Sequence, residues 1–433
     1  MDTHPLPDDA LRELARVHGT PLYVYDTRSL EEAYCGLHRA LPEPIEIVYS
    51  LKANPNLSVT ALLASLGCGA DVSSGAELQI ALAAGVHPEA IVFTGPGKSR
   101  AELTLAVERR IGMLVCESAD ELALAEQVSA RVGARTRVAL RINPSFVGTA
   151  IESHMSGKPT QFGFDPPALR ALEPRRYRHL LVDGLHVYMG SRVLDAHAIT
   201  RNTEHILALA EQVSQELDIP LGLVDVGGGF GVAYFGHETP LDLGVLRHAL
   251  DPVLAGFRKR NPGTRVLAES GRFLVAHAGV FLTEVLATKT SHGARYAVVD
   301  GGLGSFFLLS DNLAQGKPGE PTRNFPIRRL GAGSASEQPW TLAGPAPTPS
   351  DVLARGVSLP PLVPGDLLCI ERAGAYGASA SLHGFLAGGA PAEVMLHEGR
   401  THVVRARDTL ADVLRGQSRM RFDALAAPRA VAT

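Results

Sequence analysis

The sequence predicts an α/β protein in which a closed (β/α)8 TIM barrel is followed by a C-terminal β-rich domain. From residue 47 to about residue 275, eight short β-type segments alternate with longer Ala-, Leu- and Glu-rich segments of helical periodicity. Strands that alternate with helices are typical of parallel βα units, and eight units in roughly 230 residues fit the usual size of such a barrel. A doubly wound open sheet is the competing architecture.

The predicted barrel strands are short and are separated by amphipathic segments; they cover residues 47–50, 70–73, 91–94, 113–116, 138–142, 184–188, 223–226 and 266–269. After about residue 280, long helical periodicity is nearly absent, and Gly, Pro and Asp separate the β-type segments. These predicted strands are residues 281–288, 296–299, 326–330, 366–371, 392–396 and 401–406. Residues 342–351 contain three prolines and are predicted to form a rigid loop, and residues 414–433 a short helix with a frayed tail.

Composition narrows the functional classes. The 433 residues are 45% apolar and 20% charged, which is ordinary for a soluble globular protein of two or three domains. The net charge of −4 gives no broad basic surface for nucleic acid or anionic membranes. The four cysteines lack metal-ligand spacing, and the sequence contains neither a signal peptide nor an apolar segment of membrane-spanning length. We expect a cytoplasmic protein with no metal, no nucleic-acid partner and no membrane association.

The residues that carry chemistry fall where the predicted barrel strands end. In a (β/α)8 barrel, functional groups lie at the carboxyl ends of the strands, and phosphate is often held after the seventh and eighth. The candidates at such positions are Lys52, Asp71, Arg141, His186, Tyr188, Ser191, Gly227, Gly228, Gly229, Glu269, Gly271 and Arg272. Polar residues without a common role would scatter over helices and loops, so this clustering predicts an active site at one face of the barrel.

Lys52 is the candidate for covalent chemistry. A lone lysine after a strand is most often a solvated loop residue. Lys52, however, lies between Tyr-Ser-Leu and Ala-Asn-Pro, at a strand exit into a turn rather than on a charged surface. Lysine suits Schiff-base chemistry because desolvation readily lowers its pKa and frees the amine.

Three other features each allow a structural and a functional interpretation. The glycines 227–229 form a tight turn, a dinucleotide loop or a phosphate cradle, and their place after the seventh strand favours the cradle. Glu269 forms a structural ion pair, or it keeps a cofactor's pyridine nitrogen protonated for electron-sink chemistry. Arg272 is suited to a phosphate group. A histidine at the position of His186, taken alone, is more often packed in the core than directly functional.

Taken together, these motifs resemble the alanine-racemase-like barrel of pyridoxal-phosphate enzymes, specifically the diaminopimelate/ornithine/arginine decarboxylase family. The likeness spans nearly the whole chain. The motifs that carry it are TPLYVYD (20–26), YSLKANP (49–55), GADVSSGAE (69–77), RINP (141–144), KPTQFG (158–163), DVGGGFG (225–231), ESGR (269–272) and AGAYG (373–377). One such motif is only a weak indication of the family, but eight motifs in the order found in the family are highly specific for it.

The resemblance implies the cofactor, the domain plan and the site residues. It implies pyridoxal 5′-phosphate bound to Lys52 as a Schiff base, with Asp71 near that bond and Glu269 at the pyridine nitrogen. The phosphate group would be held by Gly228, Gly229, Arg272, Ser191 and Tyr376, with Gly271, Arg141 and Tyr188 as further cofactor contacts. The implied domains are residues 1–35, which pair with the β-rich domain, the barrel at 36–280 and the β-sandwich or β-barrel domain at 281–433. Head-to-tail homodimers would share active sites, with Tyr376 reaching across the interface.

Two departures from the family pattern concern the reaction and the substrate. Tyr188 stands where most relatives have a histidine that stacks on the cofactor, and an aromatic ring can keep that packing role. Pro347 stands where relatives have a cysteine that reprotonates the carbanion, and Thr348 replaces the acid that reads the substrate's distal end in diaminopimelate decarboxylases. This pattern resembles a biosynthetic branch that acts on modified substrates, such as citryl-diamino acids of siderophore pathways or carrier-bound amino acids.

We therefore predict a pyridoxal-phosphate α-decarboxylase of an amino acid or amino-acid conjugate. The predicted catalytic residues are Lys52, Glu269, Tyr188 and His186, and the predicted substrate contacts are Arg272, Thr348 and Tyr376. The returning proton must come from a group other than Pro347, with water, Tyr188 and Lys52 as candidates. Two alternatives stay open: a different carbanion fate (transamination, oxidation or racemisation) and a cofactor-binding homologue without turnover.

Overall fold

The computed structural model describes residues 6–43, 45–146, 153–154, 156–316, 321–331 and 336–420. Its helices are α1 Asp8–His18, α2 Thr27–Ala40, α3 Leu57–Ser65, α4 Gly75–Ala83, α5 Arg100–Glu108, α6 Ala119–Val132, α7 Pro166–Arg170, α8 Ala196–Glu216, α9 Leu243–Arg260, α10 Arg272–Val275, α11 Phe307–Gln315 and α12 Leu410–Val413. Its strands up to the end of the barrel are β1 Leu22–Asp26, β2 Ile45–Ser50, β3 Gly69–Val72, β4 Ile91–Phe93, β5 Met113–Cys116, β6 Thr136–Arg141, β7 Ser153–His154, β8 Leu180–His186, β9 Gly190–Ser191, β10 Leu223–Asp225 and β11 Arg265–Ser270. The later strands are β12 Gly279–Ser291, β13 Ala294–Val299, β14 Ile327–Arg329, β15 Gln338–Ala343, β16 Val352–Leu359, β17 Leu367–Ile370, β18 Ala392–His397 and β19 Arg400–Arg405.

The predicted barrel is confirmed. Eight strands (β2, β3, β4, β5, β6, β8, β10 and β11) form a closed sheet in which each neighbouring pair is parallel. Closure is made by β11 and β2, which pair from Val266 opposite Ile45 to Ser270 opposite Tyr49. An open doubly wound sheet has no such last pair, so that alternative is excluded.

The barrel strands are recognisable in sequence because parallel strands are buried on both faces. One apolar cluster packs between the strands and the surrounding helices. A separate buried cluster, contributed by six of the barrel strands, comprises Val48, Val92, Met113, Val115, Ala139, Leu223 and Leu267. Helices of the outer layer begin at side-chain caps; Ser99, for example, caps α5 in a capping box with Glu102.

The second body is a mixed sheet in the order β16-β15-β13-β12-β1-β18-β19, and β14 and β17 extend it at β12. The N-terminal strand β1 lies inside this sheet, antiparallel to β12 and parallel to β18. The sheet therefore takes strands from both ends of the chain. The residue boundaries 35 and 280 given above for the domains stay a prediction.

Three predictions of local structure for this half are wrong. Residues 338–343 and 352–359 form the antiparallel pair β15 and β16, so the predicted loop shortens to residues 344–351. Pro339 obscured β15, but it occupies the second position of the strand, where a missing N–H is tolerated. The helix α11 was not predicted. Residues 414–420 of the predicted terminal helix and tail contain no helix, and the short helix α12 lies before them. Residues 421–433 of the predicted tail lie outside the described residues.

Within the described ranges, none of the helices has the length and apolar character needed to cross a membrane.

A buried carboxylate connects the two bodies next to the Lys52 turn. Glu393 of β18 is 5% exposed, and its Oε2 accepts hydrogen bonds from the Tyr25 hydroxyl at 2.8 Å and from Asn56 Nδ2 at 3.1 Å. Tyr25 belongs to β1, whereas Asn56 follows the first barrel strand. This oxygen therefore holds the N-terminal strand and the barrel turn in one place.

We expect Tyr25→Phe to lower the free energy of unfolding by about 1–3 kcal/mol, because the buried Glu393 carboxylate loses a donor that water cannot replace. The measurement is the midpoint of denaturant unfolding followed by circular dichroism. Tyr296→Phe, at a half-buried tyrosine of β13 outside this network, is the matched control. Equal midpoints for the two variants would show that the Tyr25 hydroxyl contributes nothing.

Candidate active site

Lys52 lies at the carboxyl end of the barrel, in the 3-10 turn Leu51–Ala53 that directly follows β2. Its Nζ donates a 2.7 Å hydrogen bond to Oδ2 of Asp71, a fully buried residue of the neighbouring strand β3. Thr94, one residue past β4, donates to the other oxygen of Asp71 at 2.6 Å. The Lys52 side chain keeps 38% of its surface exposed, so its amine remains accessible from the mouth of the barrel.

The Lys52–Asp71 pair is electrostatically stable. Burial disfavours the ammonium form of Lys52, but the charges of Asp71 and Glu269 outweigh this effect and raise its pKa above the ordinary value. Burial likewise opposes ionisation of Asp71, yet the charge of Lys52 and the hydrogen bonds hold the pKa of Asp71 below its ordinary value. Both groups are therefore charged at neutral pH in the protein alone.

The turn that carries Lys52 is held by the β-rich domain. The Tyr49 hydroxyl donates to the Asn54 carbonyl at 2.7 Å, and Asn54 Nδ2 donates to the Gly374 carbonyl at 3.0 Å. The backbone N–H of Tyr376 donates to the Ala53 carbonyl at 2.7 Å. These bonds fix the backbone on both sides of Lys52.

Tyr376 therefore lies in the site of its own chain, which corrects the expectation that it reaches across a dimer interface. Its ring centroid is 4.6 Å from the guanidinium carbon of Arg272 in the same chain. The cause is the route of the chain: Gly374 packs against Gly279 at the start of β12, directly after the barrel ends, and this contact returns Tyr376 to Ala53.

Arg272 is a partly buried cation between two tyrosines. Its guanidinium carbon lies 5.6 Å from the ring centroid of Tyr234, whose hydroxyl accepts a long 3.4 Å hydrogen bond from Nη1. Burial works against its charge, but Tyr234 and Tyr376 raise the pKa of Arg272 above the ordinary value. Among the described residues, its buried Nε has no hydrogen-bond partner. The site thus holds a permanent positive charge with donor capacity left over.

The glycine turn after β10 passes very close to the backbone of its neighbours. Gly227 and Gly229 have φ of +68° and +97°, which disfavours other residues. A Cβ at Gly228 would overlap the carbonyl of Glu269, and a Cβ at Gly271 would lie 3.0 Å from the Ala53 Cβ. The lack of side chains at these positions lets the glycine turn pack directly against the backbone of β11 at Glu269, shortly before Arg272 in the chain. We call the backbone of this turn the glycine cradle.

His186 and Glu269 form a buried pair in the barrel. His186 Nε2 and Glu269 Oε1 are 2.9 Å apart, and both side chains are at most 4% exposed. Asp225 of β10 is next to them: one donor or acceptor atom from each of the three residues lies within 4.8 Å of the others. The arrangement places a histidine and two carboxyl groups below the mouth of the barrel.

Arg141 ends β6 and forms an ion pair with Glu117, which directly follows β5. Arg141 Nη1 and Glu117 Oε1 are 2.8 Å apart with both side chains nearly fully buried. The other oxygen of Glu117 accepts the Gly163 N–H at 3.1 Å, and the Arg141 guanidinium stacks 4.5 Å from the Phe162 ring centroid. Arg141 is therefore fixed at the rim, with a buried Nε that has no partner within the described structure.

Tyr188 lies two residues beyond the end of β8, so the predicted strand 184–188 is two residues too long. Its carbonyl accepts the Ser156 hydroxyl at 2.7 Å. Burial raises the pKa of the Tyr188 phenol to about 12, a rise that the nearby Lys52 charge moderates. The phenol is therefore protonated at neutral pH. Ser191, in the short strand β9, lies near this phenol and slightly lowers its pKa.

Thr348 is not brought to this cluster by the contacts of the described residues. Its hydroxyl is 3.0 Å from that of Ser350, within the loop of residues 344–351. Asp351 shapes that loop: its Oδ1 accepts the Leu303 N–H at 2.7 Å and its Oδ2 the Ala346 N–H at 2.8 Å. The loop belongs to the β-rich domain rather than to the barrel mouth.

Sequence reasoning missed four residues that complete the site: Thr94, Glu117, Asp225 and Tyr234. Thr94, Glu117 and Asp225 each end or directly follow a barrel strand, so the rule that selected Asp71 and Arg141 would have found them. Tyr234 carries no such signal, because it lies in the loop after the glycine turn and only the fold places it on Arg272.

Comparison with known proteins agrees with this geometry. Residues 27–276 match the family described as "Pyridoxal-dependent decarboxylase, pyridoxal binding domain". The L-glutamyl-[BtrI acyl-carrier protein] decarboxylase of Niallia circulans is 36% identical over 403 residues, which cover 92% of this chain and 94% of the relative. Diaminopimelate decarboxylase of Helicobacter pylori strain J99 is 33% identical over 93% of this chain and 96% of the relative. The crystal structure of diaminopimelate decarboxylase from Helicobacter pylori, complexed with L-lysine, superposes with a TM-score of 0.83 at 31% identity. The superposition covers 94% of this chain and 98% of that protein.

A parallel barrel with a lysine at one strand end, a buried carboxylate at another and a match to a pyridoxal-binding domain identifies a barrel-type pyridoxal-phosphate enzyme. The chain belongs to the pyridoxal-dependent decarboxylases, and its cofactor is pyridoxal 5′-phosphate. The predicted fold, cofactor and enzyme class are thereby confirmed. The roles of individual site residues stay predictions.

We expect Gly228→Ala to lower the free energy of unfolding by about 1–3 kcal/mol, because its Cβ must displace the backbone of β11 at Glu269. The same displacement should reduce the cofactor content of the purified protein, measured by absorbance. Gly236→Ala is the control, since a Cβ there meets nothing within 4 Å. Unchanged stability and cofactor content in Gly228→Ala would contradict the tight approach of the glycine turn to β11.

Proposed function

We propose that this enzyme removes the α-carboxyl group of an amino acid presented as a conjugate, and that the preferred form is an amino acid joined to a carrier protein through its side-chain carboxyl group, which leaves the α-carboxyl group free. The relative at 36% identity is named for a glutamyl group on an acyl-carrier protein, whereas the diaminopimelate decarboxylases compared above are 33% identical or less. The loop 344–351 supports the same choice. Thr348 carries no charge where the resemblance implies an acid that reads a free distal amino-acid end.

The residues present fit pyridoxal 5′-phosphate. The cofactor needs an amine, an anion site for its phosphate and a carboxylate for its ring nitrogen. Lys52 supplies an accessible amine, and the glycine cradle lies beside Arg272, whose buried Nε lacks a partner among the described residues. Glu269 supplies a buried carboxylate. Observations on this chain's own atoms therefore support each requirement.

The Lys52–Asp71 pair is the observation that carries the proposal. Lys52 would bind the cofactor aldehyde covalently, and Asp71, at 2.7 Å from Nζ, would hold that nitrogen in position. When bound, the cofactor supplies an electron-withdrawing ring that stabilises the charge left on the α-carbon as carbon dioxide departs. Glu269 would face the ring nitrogen and keep it protonated, and His186 would orient Glu269 through their 2.9 Å contact.

The other predicted residues take supporting roles in this proposal. Tyr188 would pack its ring against the cofactor, and Arg141, held by Glu117, would contact it from the rim of β6. Arg272 and Tyr376 would also meet the substrate. The phosphate group would be bound by Ser191, Gly228, Gly229, Gly271, Arg272 and Tyr376.

The proton that completes the reaction is proposed to come from Tyr188, Lys52 or water, since Pro347 has none to give. The Tyr188 phenol, with its pKa raised to about 12, keeps its proton at neutral pH and so can donate it. We further propose that the chain forms a homodimer in which the loop of Thr348 faces the active site of a second subunit. This arrangement would give Thr348 the substrate contact that it lacks among the described residues of one chain.

We expect Lys52→Ala to abolish covalent attachment of the cofactor and to reduce turnover on the order of 10³-fold or more, because no other group can take over the amine's role. Reduction with borohydride followed by mass spectrometry measures the attachment directly. Lys158→Ala, at an exposed lysine, is the control and should keep both properties. A borohydride-stable cofactor adduct in Lys52→Ala would refute the assignment.

We expect carbon dioxide release from an amino acid that is joined to a carrier protein as a thioester of its side-chain carboxyl group, because its α-carboxyl group is then free to leave. We expect little or no release from the free amino acid or from diaminopimelate. Mass spectrometry of the carrier in deuterated water gives the loss of the carboxyl group and counts the deuterium atoms gained. One deuterium on the α-carbon indicates simple decarboxylation, whereas a carbonyl product indicates transamination or oxidation. Equal or faster release from free diaminopimelate would contradict the proposed substrate.

A further inference from the structure

The loop of residues 230–238, which follows the glycine turn, is closed by a carboxylate to which the proposed mechanism gives no role. Glu238 Oε2 accepts the backbone N–H groups of Tyr234 at 2.7 Å and of Phe235 at 3.0 Å. The backbone N–H of Glu238 in turn donates to the Phe235 carbonyl at 3.0 Å. Only 10% of the Glu238 side chain is exposed, so water competes little for these bonds. The carboxylate therefore fixes the backbone at Tyr234.

The other oxygen of Glu238 binds Arg192, the residue directly after Ser191. Arg192 Nη2 and Glu238 Oε1 are 2.9 Å apart, and the Arg192 side chain is 11% exposed. The guanidinium carbon lies 5.0 Å from the ring centroid of Phe235 and 5.7 Å from that of Tyr234. Arg192 thus contacts the loop through its carboxylate and through both of its aromatic rings, which makes the pair more restrictive than an exposed ion pair.

Arg192 has a backbone conformation that favours glycine, with φ at +66°. A residue with a side chain adopts this left-handed conformation at a cost, and only where the surrounding contacts impose it. Here the backbone on its carboxyl side is tied to the glycine turn: the Val193 N–H donates to the Gly229 carbonyl at 2.8 Å, and the Gly231 N–H donates to the Val193 carbonyl at 2.9 Å. Residues 190–193 and the glycine turn therefore form one unit.

The fixed loop contacts the arginine to which we assign phosphate binding. Tyr234 is 1% exposed, its ring centroid is 5.6 Å from the guanidinium carbon of Arg272, and its hydroxyl accepts from Nη1 at 3.4 Å. Because Glu238 holds the backbone of Tyr234, it also limits where Arg272 can lie. Through Arg192, the same carboxylate restrains the backbone next to Ser191. One side chain thus acts on two of the proposed phosphate ligands from opposite sides.

We propose that Glu238 is a positioning residue for the cofactor's phosphate group, with Arg192 as its partner. Glu238 acts through its neighbours and not by contact with the cofactor, since a carboxylate beside a phosphate group would repel it. Donors that are held in place before the ligand arrives bind it more tightly than donors that must first be ordered. The inference deepens the proposed function and rests on its assignment of Ser191 and Arg272 to the phosphate group.

The test compares two ligands that differ only at the phosphate group, pyridoxal 5′-phosphate and pyridoxal. Each is titrated into the full chain after removal of its cofactor, and binding is followed by absorbance. Glu238→Ala should bind pyridoxal 5′-phosphate at least about 10-fold more weakly than wild type, with the affinity for pyridoxal kept within about 3-fold. A residue that only stabilises the fold would weaken binding of both ligands alike. Equal losses, or no loss for either ligand, would overturn the proposal.

A second variant tests the other half of the ion pair. Arg192→Met removes the guanidinium group but keeps much of the apolar length of the side chain, and it should give the same phosphate-selective loss. If Glu238→Ala does not fold, Arg192→Met decides alone, and an unselective loss or none would overturn the proposal. Asp183→Ala is the matched control, because Asp183 is a buried acid 2.7 Å from Arg137 at the amino end of the barrel. Its removal should leave the ratio of the two affinities unchanged.

Arg272→Met separates this inference from the assignment on which it rests. If Arg272 binds the phosphate group, Arg272→Met should also lose affinity for pyridoxal 5′-phosphate and keep its affinity for pyridoxal. Selective loss in Arg272→Met without selective loss in Glu238→Ala overturns the positioning role alone. Unselective loss or none in Arg272→Met refutes the proposed phosphate site, and the inference with it. Neither measurement requires a substrate, so failure to decarboxylate carrier-bound amino acids would refute the proposed function without altering either result.

Discussion

The pairing of β11 with β2 is the constraint on which the site depends. It joins the last barrel strand to the first and sets Glu269 and Ser270 beside Val48 and Tyr49. Gly271 can then pass against Ser50 and Ala53 because it has no side chain. Arg272 is thereby carried to the turn that presents Lys52, although the two residues are far apart in sequence. Without closure, the amine of Lys52, the carboxylate of Glu269 and the guanidinium of Arg272 would not lie in one site.

Barrel closure also brings several carboxyl groups into a buried space. Nearly all of those in the described site have a basic partner of their own. Asp71 has Lys52, Glu117 has Arg141, and Glu269 has His186. Breaking such a pair leaves an uncompensated buried charge, so each partner restricts the other more strongly than a surface ion pair would. Asp225 is the exception: burial, and next the charge of Glu269, raise its pKa well above the ordinary value, so its neutral form is the arrangement that costs least.

The sequence predicted the barrel strands closely because each is a buried apolar run with a polar residue at its carboxyl end, as in β3 with Asp71 and β11 with Glu269. It predicted the β-rich half less well. Pro339 made β15 hard to recognise as a strand. The pairing of β15 with β16 depends on contacts between the two segments, which neither segment's own sequence shows. The contacts between site residues and their partners were the hardest to predict from the sequence. Glu117 next to Arg141, and Tyr376 in its own chain's site, follow from strand order and from the Gly374–Gly279 contact.

The loop of residues 344–351 shows how one scaffold can serve a different substrate. Its shape depends on Asp351, which accepts N–H bonds from Leu303 and Ala346 and leaves no room for a Cβ at Gly302 or Gly344. Pro347 and Thr348 take no part in those bonds through their side chains, so both positions can change while the loop keeps its form. The fold therefore maintains the cofactor chemistry in the barrel and the loop's conformation in the β-rich domain separately. Under the proposed function, substitution at positions 347 and 348 would alter proton return and substrate choice without disturbing Lys52, Asp71 or Glu269.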